Sequence, residues 1–289
     1  MAILFNRRVE LSIITTQNER VNELGQLVPA NDEIITINGA RISFDFTKSV
    51  TSSPNRGIVK VWGLARNTIN KFIAGDTLSL NIGYQDAFEA LSGEISAVRS
   101  VKDGESKIVE FELIDGLEIE GTTANRSFGA GTNPLDMLKT LFGDVKLNSL
   151  SDLISVVIST DVDGEGDALK SDLVVSGPIV DQTNNITEDL GLRWFNDGGV
   201  VHIIKKDGST LEEVIEVSGK TGLIDSPART EQGISFKTLL NTRLTPGRKV
   251  DLTSEEINGL LVVQSVRLEG DNEQEQPFYS HCEAVELVS

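Results

Sequence analysis

Ser53-Pro54-Asn55-Arg56 and Ser226-Pro227-Ala228-Arg229 open two long stretches that follow the same order of features. In each stretch a strand-like run comes next, and then a glycine opens another strand. The two versions of that second run are Gly75-Asp76-Thr77-Leu78-Ser79-Leu80 and Gly247-Arg248-Lys249-Val250-Asp251-Leu252. A further glycine follows (Gly93, Gly259), then a Val-x-Ser-Val run (Val98 to Val101, Val263 to Val266), then a turn closed by Gly104 or Gly270. The order is shared and only the loop lengths differ. Such a pattern predicts one β-fold written twice. A chain carrying two equivalent β-units builds a ring from half as many subunits, so three copies present six quasi-equivalent units.

Outward from these stretches the chain reads as short strands separated by turn residues. Ile34 to Ile37 and Arg41 to Phe46 flank Asn38-Gly39, which predicts a hairpin. Strands are expected at Gly57–Trp62, Thr77–Tyr84, Leu91–Val101 and Lys107–Ile114, with a loop over Gly83–Phe88. After residue 210 they are expected at Glu213–Val217, Gly233–Leu240, Lys249–Thr253, Leu260–Leu268 and Tyr279–Leu287.

The middle is different. Thr132-Asn133-Pro134 can cap a helix whose Leu135, Leu138, Leu141 and Phe142 share a face, with Gly143 as its stop. A second helix is expected over Thr183–Leu190, ended by Gly191. A hairpin then folds about Asn196-Asp197-Gly198-Gly199. The expected fold is mainly β (α+β): two tube-protein-like β-barrel domains, residues 1–121 and 211–289, flanking a small α/β insertion at 122–210.

Composition narrows the function. With 39% hydrophobic and 24% charged residues the chain is a folded globular protein. No apolar stretch is long enough to span a bilayer, and Met1 to Arg8 lacks the features of a secretory signal, so the expectation is a protein made in a cytoplasm without a membrane anchor. A net charge of −18 opposes binding to nucleic acid through clustered cations. An acidic surface suits solubility, and it suits a channel through which DNA slides without sticking.

Chemistry finds little purchase. The single cysteine, Cys282, excludes an internal disulfide and reads as a small buried residue or edge thiol. Its neighbour His281 should point to the opposite face of a strand, which disfavours a nucleophile–base pair. The other histidine, His202, lies inside an alternating strand. Asp161, Asp163, Glu165 and Asp167, with Gly166 sixth, resemble the start of a calcium loop. Asp172 falls where a glutamate normally closes such a loop, and no clear helix precedes it, so a solvated acidic loop is expected. Phe128-Gly129-Ala130-Gly131-Thr132 lacks the lysine of a phosphate cradle and reads as a helix entry. No cofactor and no catalytic residue are expected.

A longer run carries a family likeness. Ser218-Gly219-Lys220-Thr221-Gly222-Leu223-Ile224-Asp225-Ser226-Pro227 is followed by Glu231-Gln232-Gly233-Ile234-Ser235-Phe236-Lys237-Thr238-Leu239-Leu240-Asn241. Leu244-Thr245-Pro246-Gly247-Arg248-Lys249-Val250 completes it. With Gly63-Leu64, a short helix at Arg66–Phe72, Leu91-Ser92-Gly93-Glu94-Ile95 and Ile114-Asp115-Gly116, it resembles the hub proteins of contractile phage tails, the late-control-gene-D type. Relatives often carry a histidine before a Gly-Asp near the end, where this chain has Leu268-Glu269-Gly270-Asp271.

The resemblance implies a homotrimer in the virion baseplate whose doubled β-domains form a pseudo-sixfold ring. Such a ring adapts a tail tube protein above to a spike protein below, beside other baseplate or tape-measure proteins, with DNA only passing through the lumen. Some relatives add a lytic domain, which is not expected here because the chain stops at Val288-Ser289. By analogy with tube proteins, the candidate interface residues are Ile34, Ile37, Arg41, Phe44 and Phe46 on the first strands, and Tyr84 and Phe88 at the 83–88 loop. The other reading is a carbohydrate-binding or adhesive β-module. It requires exposed aromatics, yet aromatics make up 5% and Trp62 and Trp194 follow strand or core patterns.

Overall fold

The computed structural model describes residues 6–17, 20–21, 27–28, 31–104, 106–115, 119, 121–143, 145, 155–159 and 168–287. The first strands are β1 (Arg7–Gln17), β2 (Arg20–Val21), β3 (Leu27–Val28), β4 (Asn31–Ile37), β5 (Ile42–Ser49) and β6 (Asn55–Trp62). Helix α1 (Arg66–Ile69) leads to β7 (Thr77–Tyr84), β8 (Asp86–Asp103) and β9 (Ser106–Asp115). The middle holds β10 (Thr123–Phe128), α2 (Pro134–Gly143), β11 (Ser155–Ile158), β12 (Leu173–Pro178), α3 (Ile179–Asp189), β13 (Leu192–Asp197) and β14 (Val200–Lys205). The last strands are β15 (Ile215–Ser218), β16 (Leu223–Thr230), β17 (Gly233–Leu239), β18 (Lys249–Thr253), β19 (Asn258–Asp271) and β20 (Phe278–Glu286). The chain is mostly β.

Two compact units share the chain. One takes residues 1–45, 56–114 and 269–278, and the other 46–55, 115–268 and 279–289. In the first unit the strand order is β5-β6-β9-β8-β7-β1-β4. Alternation explains its core: β7 buries Leu78, Leu80 and Ile82 and keeps Thr77, Ser79 and Asn81 half-exposed. Each such aliphatic side chain, fully buried, contributes about 1.5–3 kcal/mol. Facing strands add Leu11, Ile13, Leu91 and Phe111. Elsewhere cross-strand ion pairs link Lys60 to Glu110 (3.1 Å) and Arg99 to Glu112 (2.7 Å).

In the second unit the order is β16-β17-β20-β19, and β18 pairs with β19 while β15 pairs with β18. This unit also contains the α/β region. There β10–β12 and β11–β14–β13 lie with α2 and α3 around Leu138, Leu141, Phe142, Trp194, Val201 and Ile203. The Asn133 side chain caps α2 by accepting from the Leu135 N–H (2.8 Å). The β13–β14 hairpin turns on Gly198 and Gly199, whose φ of 61° and 79° suit glycine.

The strand order repeats. In the first unit β5-β6-β9-β8-β7-β1 are neighbours in that sequence, and in the second β16-β17-β20-β19-β18-β15 are. Backbone hydrogen bonds repeat too. The Gly75 N–H donates to Ile95 O (2.9 Å) and the Ile95 N–H to Asp76 O (2.8 Å). Likewise the Gly247 N–H donates to Val263 O (2.8 Å) and the Val263 N–H to Arg248 O (2.9 Å). At the other end the Trp62 N–H donates to Arg41 O (3.0 Å), as the Leu239 N–H does to Gly222 O (2.8 Å). One strand differs: β1 is antiparallel to β7, whereas β15 is parallel to β18.

Five local expectations are corrected. Asn38-Gly39 does not join a hairpin, because β4 pairs with β1 and β5 lies between β6 and β19. Gly83–Phe88 is not a loop: Tyr84 pairs with Asp86 across Gln85 alone, at φ 59°. Ser226-Pro227 is no turn before a strand but part of an irregularity within β16, between Ile224 and Ala228. Gly270 lies inside β19 rather than closing a turn. It is needed there because a Cβ would meet the Phe44 ring at 2.5 Å and the Phe278 ring at 2.7 Å. The hydrogen bonds also pair Ile95, not Val98, with Val263. A β-bulge between Ile95 and Ala97 contributes to that slip.

The matched glycines make a comparison. Gly75 and Gly247 both have positive φ (97° and 77°), but a Cβ at Gly75 meets nothing within 4 Å, whereas at Gly247 it lies 3.0 Å from Thr210 and 3.1 Å from Phe195. Gly75→Ala is expected to cost about 1 kcal/mol of backbone strain, and Gly247→Ala about 1–3 kcal/mol more from crowding. Urea unfolding of the two variants checks the difference, and equal costs contradict it.

Candidate assembly surfaces

Open strand edges are the surfaces on which β-proteins pair with other chains. Among the described residues β4 has only β1 as a neighbour, β16 only β17 and β15 only β18. A fourth open edge is less visible. The long strand β8 pairs with β7 through Glu94 and with β9 from Glu94 to Asp103, so from Ala97 to Asp103 its other side carries no strand among the described residues.

The seven candidate interface residues are distributed unevenly over these features. Ile34 is 61% exposed on β4 and Phe88 is 62% exposed at the start of β8. Ile37, Phe44 and Phe46 are core residues; they set the strands' positions from beneath. Tyr84 is half-buried and packs edge-on against Phe278 (5.2 Å). Arg41 lies over the Trp62 ring (4.4 Å) and pairs with Asp271 (2.9 Å) and Glu273 (3.2 Å). Arg41, Trp62 and Asp271 line a groove of about 500 Å³ in the first unit, with Ser43, Lys60 and Pro277.

One buried polar cluster was not read from the sequence. Asp115, at the end of β9, accepts from Asn196 Nδ2 (2.8 Å), Asn55 Nδ2 (3.1 Å) and the Gly198 N–H (3.0 Å). Asn55 Nδ2 also donates to Asn196 O (2.9 Å), and Lys48 forms an ion pair with Asp197. Burial pushes the Asp115 carboxyl above the usual carboxylate range, reinforced by Asp197 and opposed by the Gly198 and Asn55 hydrogen bonds and by Lys48. Within the second unit the cluster fastens the β13–β14 turn to the ends of β5 and β9 and the start of β6. Asp115-Gly116 and Asn196-Asp197-Gly198-Gly199 each look like turn chemistry; nothing in the linear sequence says that they meet.

The titratable groups singled out earlier have structural surroundings. Cys282 is buried and burial pushes its thiol up, while His281 alternates to the half-exposed face and packs edge-on to Tyr279 (6.5 Å). His202 stacks on Phe195 (5.0 Å), and burial holds its imidazole below the usual range. The Asp172 carboxylate accepts from the Ala130 N–H (2.9 Å), holding the entry to α2. Asp161, Asp163, Glu165 and Asp167 lie outside the described residues. Among those described, no group of three or more acidic, histidine or cysteine side chains is placed to hold a metal.

Residues 155–284 match the family model described as baseplate hub gp41. The tail protein from Neisseria meningitidis MC58 shares the fold with a TM-score of 0.61, at 10% identity over 96% of each chain. The 43 kDa tail protein of prophage MuSo2 from Shewanella oneidensis gives 0.58 at 9% identity, over 96% of this chain and 98% of its own. A third structure similar to this chain is the E. coli c3393 protein, a type VI secretion component described as structurally similar to the T4 bacteriophage tail proteins gp27 and gp5. Its TM-score is 0.59 at 9% identity, over 87% of this chain and 76% of its own length. No curated protein sequence matches.

Proposed function

We propose that this chain is a baseplate hub protein, three copies of which close into a ring of six β-lobes that joins a sixfold tail tube to a threefold spike, without catalysing a reaction. The observation that carries this reading is the repeated strand order, β5-β6-β9-β8-β7-β1 and β16-β17-β20-β19-β18-β15. Two like lobes per chain let a threefold assembly meet a sixfold one. In this reading residues 1–121 and 211–289 supply the lobes and 122–210 the insertion between them. Exposed Ile34 and Phe88 belong to the surfaces covered on assembly, by further copies of the chain, the tube protein, the spike or other baseplate and tape-measure proteins. The protein is made in the host cytoplasm, and its net charge of −18 favours passage of DNA over adhesion to it. Trp62 lies under Arg41 and Trp194 is buried, which disfavours a sugar-binding groove. Counting hub against tube protein in purified tails by isotope-labelled peptides tests the reading. Three hub chains per tail are expected, and one or six overturn it.

A further inference from the structure

The two sets of strands differ at one edge. In the second unit β19 carries β18 on Asn258–Val262, and beyond β18 the same strand is lined by β5. That pairing is antiparallel: the Val50 N–H donates to Gln264 O (2.9 Å) within the second unit, and the Asn272 N–H to Ile42 O (3.1 Å) within the first. The counterpart of β19 is β8, and the counterpart of β18 is β7, whose pairing along β8 ends at Glu94. Along residues 97–103 no described strand takes the place that β5 takes on β19. The counterpart of β5 is β16, whose outer edge is open among the described residues. Within one chain, then, the repeat leaves one open acceptor edge and one open donor strand of the matching kind.

We infer that β16 of one copy lies antiparallel along residues 97–103 of β8 in the next copy, as β5 lies along β19. This rests on the three-copy reading and names the surfaces that would close it. Transferring the hydrogen-bonded register through the matched pairs Arg41/Gly222 and Ile95/Val263 sets Asp225 alongside Lys102. Charge favours that register. Lys102 and Lys107 sit directly opposite each other on β8 and β9, both exposed, in a chain of net charge −18, and among the described residues neither has an acidic partner. Nearby cations are already engaged, Arg99 with Glu112 (2.7 Å) and Arg229 with Glu286 (3.1 Å). Val101 is 46% exposed on the acceptor edge, and the occupant would cover it. Pro227, which donates no hydrogen bond, lies in the irregular part of β16 between the paired residues Ile224 and Ala228, so a partner strand bonds to either side of it.

Engineered cysteines test the register, because the natural Cys282 is buried. Two double variants are carried into assembled tails: Val101→Cys with Ser226→Cys, and Ser100→Cys with Ala228→Cys. Oxidation of at least one is expected to give a ladder of hub chains ending at three, while Thr36→Cys with Ser226→Cys gives none. Tails with three hub chains in which neither pair cross-links overturn this edge pairing and leave the three-copy reading standing. A hub count other than three overturns that reading itself. Cross-links to another baseplate protein give β8 a different occupant and also overturn the inference. As a second measurement, Lys102→Glu with Lys107→Glu is expected to lower the cross-linked yield at least tenfold in chains whose thermal melt is unchanged. Adding Asp225→Lys is expected to restore it; no loss, or no rescue, contradicts the pairing.

Discussion

Asp115→Ala is expected to lower folding stability by about 3–5 kcal/mol, because it strands buried hydrogen-bond donors that water cannot reach. Asn55 Nδ2, Asn196 Nδ2 and the Gly198 N–H all point at this carboxylate. Asn55 retains Asn196 O as an acceptor, so the loss falls mainly on Asn196 and Gly198. Urea unfolding followed by Trp194 emission, in the region that the cluster fastens, reads the change directly. Asp136→Ala, at an exposed position on α2, is the control and is expected to move stability by less than about 0.5 kcal/mol. A loss at Asp115 no larger than the control's means that the cluster does not hold the turn.

The same residue fixes a sign with pH. Burial raises the Asp115 carboxyl above its unfolded value, so the folded chain binds the extra proton between the two values. The group's contribution is therefore fully present below the unfolded value and declines as pH rises through the folded one. The difference in stability between the native chain and Asp115→Asn should carry this slope. A difference that is flat, or that grows with pH across that window, contradicts it.

Gly233→Ala is the second large effect, about 3 kcal/mol or more. At φ 134° the backbone is strained for any L side chain, and a Cβ would sit 2.3 Å from Ala284 O, where backbone rather than a flexible side chain is the obstacle. Relief requires β17 and β20 to separate at the Ile234–Ala284 pair. A lowered melting temperature with faster exchange of the β17 and β20 amides is expected. An unchanged melt contradicts the close approach.

Strands that alternate were legible from the chain, and Thr77–Tyr84 and Lys249–Thr253 fall at the expected residues. Alternation is a local signal, and β7 and β18 have it. The repeat was legible for the same reason: glycines that must adopt positive φ at strand starts, Gly75 and Gly247, mark matched places. Pairing was not legible. Asn38-Gly39 turns the chain, but which strands meet depends on distant partners, and β4 pairs with β1. Pro227 read as a turn because proline usually marks one, yet an edge strand with an irregular register accommodates it. The Asp115 cluster escaped for a related reason: its members come from four separated stretches, and each alone looks like an ordinary turn residue. Of the residues named for assembly, exposure separates Ile34 and Phe88 from Phe44 and Phe46, a distinction that strand alternation alone left open.

Electron cryomicroscopy of the tail tip, reconstructed without imposed symmetry, bears most directly on the doubled lobe. The α/β region lies between β9 and β15, once per chain. The map should therefore show six similar β-lobes around the axis and only three α/β insertions. A ring with six insertions, or hub density that does not close around an axis, would contradict the account.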